Sequence, residues 1–323
     1  MTALRIDAVQ AALQRDGRLD ANESLFFARQ LEAISSRVFK VKRPALSAME
    51  VFPIDTSVPA WATTHTYYMY DSTGMAKIIA NYADDLPNVS LSAKKQTYDL
   101  HSLGAAFYYS VADVRAASRT GLPLQSELVA TTRKAHEITA NKIAWFGDSA
   151  ANLPGFLTNS NIPAYTIPAD GNSNGGSSSK KFQHKTPDQI LRDLNGIANS
   201  IPGATFGIHR PNDLLIDQDN YSLISSTPRS ATSDTTILDF FLANNPYIQN
   251  VRAVNELKDA GGAGVNYIVA GEFNEENVAM VIPMMMQMEA PQPDNLSFKV
   301  PTESRVGGVT VRYPLAFAIG SGV

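Results

Sequence analysis

The stretch Leu122–Gly147, LPLQSELVATTRKAHEITANKIAWFG, is the longest helical candidate in the chain. Pro123 suits the first turn of a helix, and Gly147 suits its C-terminal cap. A helix of about 24 residues is a rod of roughly 36 Å at the α-helical rise. Its apolar stripe is modest, and basic side chains remain for an exposed face. We therefore predict a long surface helix that packs against a sheet rather than in the core of a bundle.

Two extended segments precede this helix. They read TTHTYYMYD over residues 63–71 and VSLSAKKQTYDLHSL over residues 89–103. Thr and Tyr favour strands, so the pattern predicts two long strands joined by a long loop. An arm of about 12 residues would reach roughly 40 Å. Because an isolated pair of strands is marginally stable in water, we expect this hairpin to pack on a neighbouring subunit.

Residues 1–48 have the pattern of a helical arm that ends in a basic cluster. Apolar residues recur at roughly helical spacing through its second half: Leu25, Phe26, Leu31, Ile34 and Val38. Four positive charges follow before Pro44, at Arg37, Lys40, Lys42 and Arg43. Two interpretations stay open for this cluster. It is either a solvated basic turn or a contact with a polyanion or an acidic neighbour.

Downstream of the long helix, residues 169–181 (ADGNSNGGSSSKK) predict a flexible surface loop. Residues 186–275 predict a compact α/β unit, whose first helix begins with a capping box at Thr186 and Gln189. A second helix is predicted over Thr235–Asn244. The short apolar, strand-like runs of this unit are Ala204–His209, Asp213–Asp217, Tyr221–Ser225, Tyr247–Val254 and Val265–Ala270.

The C-terminal part, residues 277–323, returns to strand-like sequence. VAMVIPMMMQM, residues 278–288, holds five of the nine methionines and predicts a buried strand with adaptable packing. The final stretch VGGVTVRYPLAFAIGSGV is apolar, and we expect it to pack back against the long helix.

Composition excludes several classes of protein. The chain has 323 residues, 44% of them hydrophobic and only 18% charged, with a net charge of −4. These values fit a globular protein and exclude a basic nucleic-acid coat or an acidic disordered tail. The absence of cysteine excludes disulfides, thiolate catalysis and Cys-based zinc sites. The low charge density predicts that other protein covers much of the surface.

The N-terminal residues lack the apolar core of a secretory signal. Pro283 and Gln287 interrupt the longest apolar stretch, which is too short to span a bilayer. We therefore expect no membrane contact and folding in the cytoplasm of the producing cell.

The patterns that resemble catalytic motifs are weak. His136 and Glu137 begin like a metalloprotease helix, but Ala140 stands where the second histidine would be, so a helix-surface histidine is expected. The other histidines are scattered: His65, His101, His184 and His209. Gly171–Gly175 has the letters of a nucleophile elbow around Ser173, without the strand before it and the helix after it that the elbow needs.

Glycine-rich and acidic clusters are likewise predicted to be turns. Gly261, Gly262 and Gly264 precede a strand, whereas a phosphate-binding loop follows one. The carboxylate pairs Asp84/Asp85 and Glu275/Glu276 lie in polar loops. The sequence thus predicts no catalytic, cofactor-binding or metal-binding residues, and no enzyme.

The order of these parts resembles the major capsid protein of tailed bacteriophages, whose Hong Kong 97-type fold is shared with encapsulins. Local sequence agrees at two places. After the long helix, WFGDSAANLPGFLTNSNI carries Pro154–Leu157, which is similar to a small apolar step of that family. The closing RVGGVTVRYPLAFAIGSG is similar to a C-terminal strand motif of one subfamily at Arg305, Gly307, Gly308, Arg312 and Pro314.

This resemblance implies an α+β fold in five parts. These are an N-terminal arm (1–48), an extended β-hairpin called the E-loop (49–103), a P-domain with the spine helix (104–150), an α/β A-domain (151–275) and returning P-domain strands (276–323). The A-domain, 151–275, would then fold when expressed alone. Some family members crosslink a lysine to a neighbour's asparagine. Lys77, Lys94 and Lys95 lie in the E-loop, but no partner is identifiable, so no crosslink is predicted.

The resemblance also implies a function. The chain would assemble through hexamers and pentamers into the icosahedral head shell that encloses the double-stranded DNA of a tailed phage. Its partners would be copies of itself, a separate scaffold, a portal, decoration proteins and packaged DNA held without sequence specificity. The shell would form in the host cytoplasm and belong to the virion. Three alternatives remain: an encapsulin-like compartment, a serine hydrolase that uses Ser173, and another phage structural protein such as a tail or decoration component.

Overall fold

The computed structural model describes residues 45–73, 90–120, 124–172, 178–230 and 232–323. The chain divides into two compact units. The larger one comprises residues 44–114 and 124–323 and holds both large hydrophobic cores. Several sequence predictions lie outside the described residues. They concern the helical arm before residue 45 with its basic cluster Arg37–Arg43, and Pro123, Lys77, Asp84, Asp85 and Ser173.

The described residues form helices and strands in mixed order. The α-helices are α1 (Ala48–Val51), α2 (Val111–Thr120), α3 (Leu124–Phe146), α4 (Pro187–Ala204), α5 (Gln218–Ser226) and α6 (Ile237–Asn244). The first eight strands are β1 (Ile54–Asp55), β2 (Thr64–Thr73), β3 (Ser90–Asp99), β4 (His101–Ser110), β5 (Ala164–Tyr165), β6 (Gly171–Asn172), β7 (Ser178–Ser179) and β8 (Asp213–Ile216). The others are β9 (Asn250–Ala253), β10 (Tyr267–Gly271), β11 (Val278–Val281), β12 (Met284–Met288), β13 (Gln292–Asp294), β14 (Ser297–Val306), β15 (Val309–Val311) and β16 (Phe317–Ser321). Short 3-10 helices lie at Phe182–His184, Asn255–Leu257 and Pro314–Ala316.

The predicted hairpin is confirmed. Strands β2 and β3 pair antiparallel along their whole length, from Thr64 opposite Asp99 to Thr73 opposite Ser90. In the described part of the chain they form a sheet of their own. Most of the contacts that these two strands make are with each other. The hairpin therefore contributes little to the core of its own subunit.

The long helix is also confirmed, with its C-terminal end at Phe146 and Gly147 in a positive-φ conformation after it. Helix α3 packs on β4 and β14, the two strands that pair antiparallel over ten residues. Its C-terminal turn places Ala144 and Trp145 in a core that also contains Phe317 from the C-terminal strand. The expected packing of the chain's end against this helix is confirmed.

A five-stranded sheet with the order β5-β16-β10-β8-β9 lies between two cores. One face of it, with Leu215, Val269 and Phe317, joins the core of α3. The other face, with Ile268 and Ala318 among others, packs under α4 and α6. Burial of alternate side chains on opposite faces explains the continuous apolar runs of these strands.

Strand β16 belongs to the same sheet as strands of the predicted A-domain. This strand pairs antiparallel with β10 and parallel with β5, so it is an interior strand of the sheet. Residues 151–275 lack it, and the predicted boundary after residue 275 cuts this sheet. A fragment that ends at residue 275 therefore leaves the edge of β10 unpaired, which sequence patterning could not show.

Four local predictions are corrected. Ala204–His209 is not a strand but a turn after α4, and Tyr221–Ser225 lies inside helix α5, because Asp217 caps that helix through its side chain. The predicted loop at 169–181 contains the paired strands β6 and β7. The methionine-rich run is buried over β11, whereas β12 is half exposed. Among the described strands, β12 is an edge strand of its sheet and pairs with β14 alone.

Two other predictions are confirmed. Helix α4 begins with the capping box, in which the Thr186 side chain accepts from the Gln189 backbone and the Gln189 side chain accepts from the Thr186 backbone. Gly261, Gly262 and Gly264 form a turn before β10, with positive φ at the last two. Within the described part of the chain, no helix combines the length and the apolar content that a bilayer crossing needs.

Candidate assembly surfaces

One face of the β2–β3 hairpin is aromatic and exposed. Tyr68 and Tyr70 are two residues apart on β2, so their side chains point to the same face. Leu91 shares this face, because it stands opposite Ser72 in the register. All three side chains are more than half exposed. We call this set, Tyr68, Tyr70 and Leu91, the outer face of the hairpin. It offers apolar surface that the described residues of its own subunit do not cover.

The opposite face of the hairpin is anchored to the body at its base. Tyr67 stacks on Tyr98 with ring centroids 6.0 Å apart, and the Arg312 guanidinium lies 5.9 Å from the Tyr67 ring. Arg312 also donates to the Asp55 carboxylate at 3.3 Å. Burial raises the pKa of the Tyr67 phenol well above its ordinary value. These contacts fix which face of the hairpin is turned outward.

Asp55 and His65 complete this anchor. Burial opposes ionisation of Asp55, but the backbone and hydroxyl of Ser57 donate to its carboxylate at 2.9 and 2.6 Å. The net effect is a pKa below the ordinary value for that carboxyl. Burial lowers the pKa of His65, whose Nε2 has no hydrogen-bond partner. The base of the hairpin thus concentrates partly buried polar groups.

The prediction that His136 lies on the helix surface is wrong. The side chain is buried under the sheet, with its Nδ1 2.8 Å from Ser304 Oγ and its Nε2 2.9 Å from Thr302 Oγ1. Thr302 Oγ1 donates to the carbonyl of Ala105, so Nε2–H is the donor to Thr302. The histidine joins the long helix to β14 and is already satisfied by hydroxyls.

A methionine-lined groove borders this histidine. It has a volume of about 200 Å³ and lies between α3, β12 and β14. Its apolar lining includes Met49, Met284, Met285, Met286 and Ile282. Flexible methionine side chains adapt to different shapes, so the groove is a packing feature of the half-exposed β12 edge.

The buried charged side chains beside helix α4 are paired. The Lys185 ammonium contacts the Asp193 carboxylate, with Asp170 at 3.5 Å, and donates to the carbonyl of Pro168 at 2.8 Å. Arg192 bonds both aspartates. The group ties the segment before β6 to helix α4, which is a structural task.

The remaining sequence candidates do not converge. Ser173 lies outside the described residues, and the strands on either side of it, β6 and β7, pair with each other, whereas a nucleophile elbow requires a helix after the serine. Glu275 and Glu276 lie in a turn, as predicted. His209 Nδ1 lies 3.1 Å from the Glu272 carboxylate, far along the chain from the other histidines. Within the described residues, no group of three or more potential metal ligands occurs.

Sequence reasoning missed one exposed apolar feature. Phe206 and Ile208 follow helix α4 and are 96% and 77% exposed. Their apolar side chains favour a strand when the sequence is considered alone. The signal that could have corrected this is Gly207, since a glycine after a helix ending at Ala204 indicates a turn.

Comparisons with known proteins show the family and the fold of this chain. The family model described as "Major capsid protein" matches residues 74–323. None of the curated proteins matches the chain. Among solved structures, the capsid of Myoviridae phage XM1 superposes with a TM-score of 0.76 at 15% identity, covering 92% of this chain and 98% of that one.

Two further structures have the same fold. The Mycobacterium phage Bobi structure has a TM-score of 0.62 at 12% identity, covering 94% of this chain and 98% of that one. The virus-like particle from Pyrococcus furiosus has a TM-score of 0.50 at 11% identity, with 84% and 90% coverage. The predicted Hong Kong 97-type capsid fold is confirmed. The family model matches more than half of this chain, and the chain therefore belongs to the major capsid protein family.

Proposed function

We propose that this subunit of a phage head shell assembles through hexamers and pentamers into an icosahedral capsid that encloses double-stranded DNA. The observation that carries the proposal is the outer face of the hairpin, defined above. A two-stranded sheet is marginally stable by itself, and this one exposes aromatic side chains that its own body does not cover. Docking on a neighbouring subunit stabilises the hairpin and buries that apolar surface.

Shell assembly explains why modest contacts suffice. A subunit held by several neighbours gains stability from many simultaneous contacts, none of which has to be strong alone. Head-to-tail contacts related by a closing rotation produce rings such as hexamers and pentamers. The role is structural rather than enzymatic, which the family supports.

The proposed partners and location follow the same logic. Copies of the chain form the shell, while a separate scaffold, a portal and decoration proteins act on it, and packaged DNA contacts its inner side without sequence specificity. Assembly occurs in the host cytoplasm, and the product belongs to the virion. The division into N-terminal arm (1–48), E-loop (49–103), P-domain (104–150 and 276–323) and A-domain (151–275) is part of this proposal, with β16 shared between the last two.

Electron microscopy of the purified chain tests assembly. We expect closed shells from the wild type, and open or absent shells when Tyr68 and Tyr70 are both changed to Ser. Lys94→Gln is the matched control, because Lys94 is exposed on the same hairpin but opposite Met69, on the other face. Normal shells from the double variant would contradict the role given to the outer face.

A deletion variant removes residues 77–89, which lie between β2 and β3 in the sequence. This deletion should block shell closure while the thermal unfolding transition of the body is kept. Closed shells from the deletion would show that the hairpin is dispensable.

An encapsulin-like compartment is the second candidate, because the virus-like particle from Pyrococcus furiosus shares the fold. The contents of shells isolated from infected or producing cells separate the two. Nuclease-resistant DNA inside the shells supports a phage head. An enclosed protein cargo without DNA supports a compartment.

A further inference from the structure

We propose that the turn Thr205–His209, together with Tyr313 and Leu315, is a contact surface for a second copy of this chain. We call this surface the Phe206 turn and its flank. This contact does not involve the hairpin. It rests on the proposed function, because it requires that copies of the chain assemble into a shell. One residue of this turn, Phe206, has an unusual backbone conformation.

Phe206 has a φ of +52°. The described chain contains three other non-glycine residues with positive φ, and these are Asn152, Asp259 and Asn295. Asn and Asp tolerate the left-handed conformation because their short polar side chains hydrogen-bond locally, whereas a bulky side chain there is strained. The fold therefore holds a phenylalanine where asparagine or glycine would be easier.

The side chain of Phe206 is not buried against the described part of its own subunit. It is 96% exposed, and Ile208, two residues on, is 77% exposed. Neither residue belongs to either of the two large hydrophobic cores on the faces of the five-stranded sheet. Strain and exposure of a large apolar residue at one position indicate a role outside the monomer.

The turn is held in place rather than loose. Gly207 N donates to the carbonyl of Pro202 at 2.9 Å, and Ile208 N donates to the carbonyl of Thr205 at 3.1 Å. The buried Thr205 hydroxyl donates to the carbonyl of Ile201. A preorganised turn loses little conformational freedom when it binds, which favours docking.

The flank extends this apolar surface. The His209 ring lies 5.6 Å from the Tyr313 ring, and its Nδ1 contacts the Glu272 carboxylate. Leu315 lies in the 3-10 helix Pro314–Ala316, which contacts α4, and it is more than half exposed. The end of the turn and the 3-10 helix are therefore neighbours in the fold, and each segment carries exposed large apolar side chains.

The size of the surface indicates the partner. One aromatic side chain offers about 150–250 Å². A few partly exposed side chains of this kind fall short of the roughly 800 Å² that each partner of a separate stable complex buries. A contact this small is effective when the same two subunits, or their neighbours, are held by other contacts in parallel, as copies in a shell are. A nucleic acid would instead require clustered Lys and Arg side chains.

The first experiment compares Phe206→Asn with Phe206→Tyr. Asparagine relieves the strained backbone and removes the ring, so the unassembled subunit should unfold at the same or a higher temperature. The concentration needed to form shells should rise about tenfold, as expected for loss of one aromatic anchor. Phe206→Tyr keeps the ring and should assemble like the wild type.

A second experiment uses the lack of cysteine in the natural chain. In an Ile208→Cys variant, maleimide should label the unassembled subunit quickly and shells of the pure protein at least tenfold more slowly. Equal labelling rates in both forms would overturn the proposal. Protection that requires added scaffold or decoration protein would also overturn it, because the occupant would then not be a second copy.

The outcomes separate this inference from the proposed function. If the wild type forms no shells, assembly itself fails. If the wild type forms shells and Phe206→Asn forms them at an unchanged concentration, the shell function stands and the Phe206 contact is wrong.

Discussion

The imidazole Nδ1 of His136 lies 2.8 Å from the hydroxyl of Ser304, and this pair connects the long helix to the strand at the centre of the neighbouring sheet. The sequence distance between the two residues is 168. With Nε2–H donated to Thr302, Nδ1 of the neutral ring accepts from Ser304. Protonation of Nδ1 would turn it into a donor and force the serine proton to a new partner. The contact is therefore suited to a neutral histidine.

This geometry predicts a pH-dependent stability. Burial lowers the pKa of His136 below its ordinary value of about 6.5. The folded state then binds fewer protons than the unfolded state just below pH 6.5, so its stability is complete above that pH and falls as the solution is acidified. We expect the melting temperature to drop between pH 8 and pH 5.

His136→Gln isolates this effect from that of His65, whose pKa is also lowered. At pH 8 the variant should lose about 1–3 kcal/mol of unfolding free energy, and the difference from the wild type should shrink toward pH 5. Differential scanning fluorimetry between pH 8 and pH 5 measures the melting temperatures of the variant and the wild type. His101→Gln, at an exposed position of β4, is the control and should follow the wild type. Parallel pH profiles for the wild type and His136→Gln would rule the explanation out.

Gly155 should not accept a side chain. A Cβ at this position would collide with the backbone of Phe146 and Gly147, at the end of the long helix. Backbone cannot move aside as a flexible side chain can, so Gly155→Ala should cost about 1–3 kcal/mol or more. Gly203→Ala is the matched control in α4, where nothing lies near the new methyl group. It should raise stability by up to about 1 kcal/mol. Chemical denaturation measures both variants, and equal midpoints would refute the steric argument.

The placement of β16 predicts how fragments behave. Residues 151–275 alone lack an interior strand of their sheet and should show no cooperative thermal transition by circular dichroism. Joining residue 275 to residue 312 through a short Gly/Ser linker restores β16, because Gly271 already stands opposite Phe317. This second fragment should unfold cooperatively. A sharp transition from residues 151–275 alone would contradict the prediction.

Removing the Lys185 ammonium should destabilise the packing of helix α4 against the segment before β6. The side chain is fully buried against Asp193, and Lys185→Met leaves that carboxylate with an incomplete set of partners. Loss of one member of a buried pair costs about 3–5 kcal/mol. Lys258→Met breaks an exposed pair with Asp219 and should change little. Urea denaturation at pH 7 compares them; similar midpoints would show that the buried pair is not stabilising.

The parts of this fold that the sequence predicted are those set by near neighbours in the chain. Helix α3 has its own cap and periodicity, α4 begins with the Thr186–Gln189 capping box, and the hairpin has strand-forming residues on both arms. Each depends on interactions over a few residues, or on pairing between adjacent segments. The family followed from the order of these parts.

The amino-acid sequence alone thus determined the hairpin, the long helix, the capped helix α4, their order and the resemblance to capsid proteins. Only the tertiary structure decided that His136 is buried, that β16 joins the sheet of α4, and that Phe206 is exposed in a strained turn. Each of these depends on contacts between residues far apart in the chain, or on a backbone angle that no periodicity encodes. The hydrophobic pattern marks which side chains prefer burial, and the pairing of distant strands determines which of them achieve it.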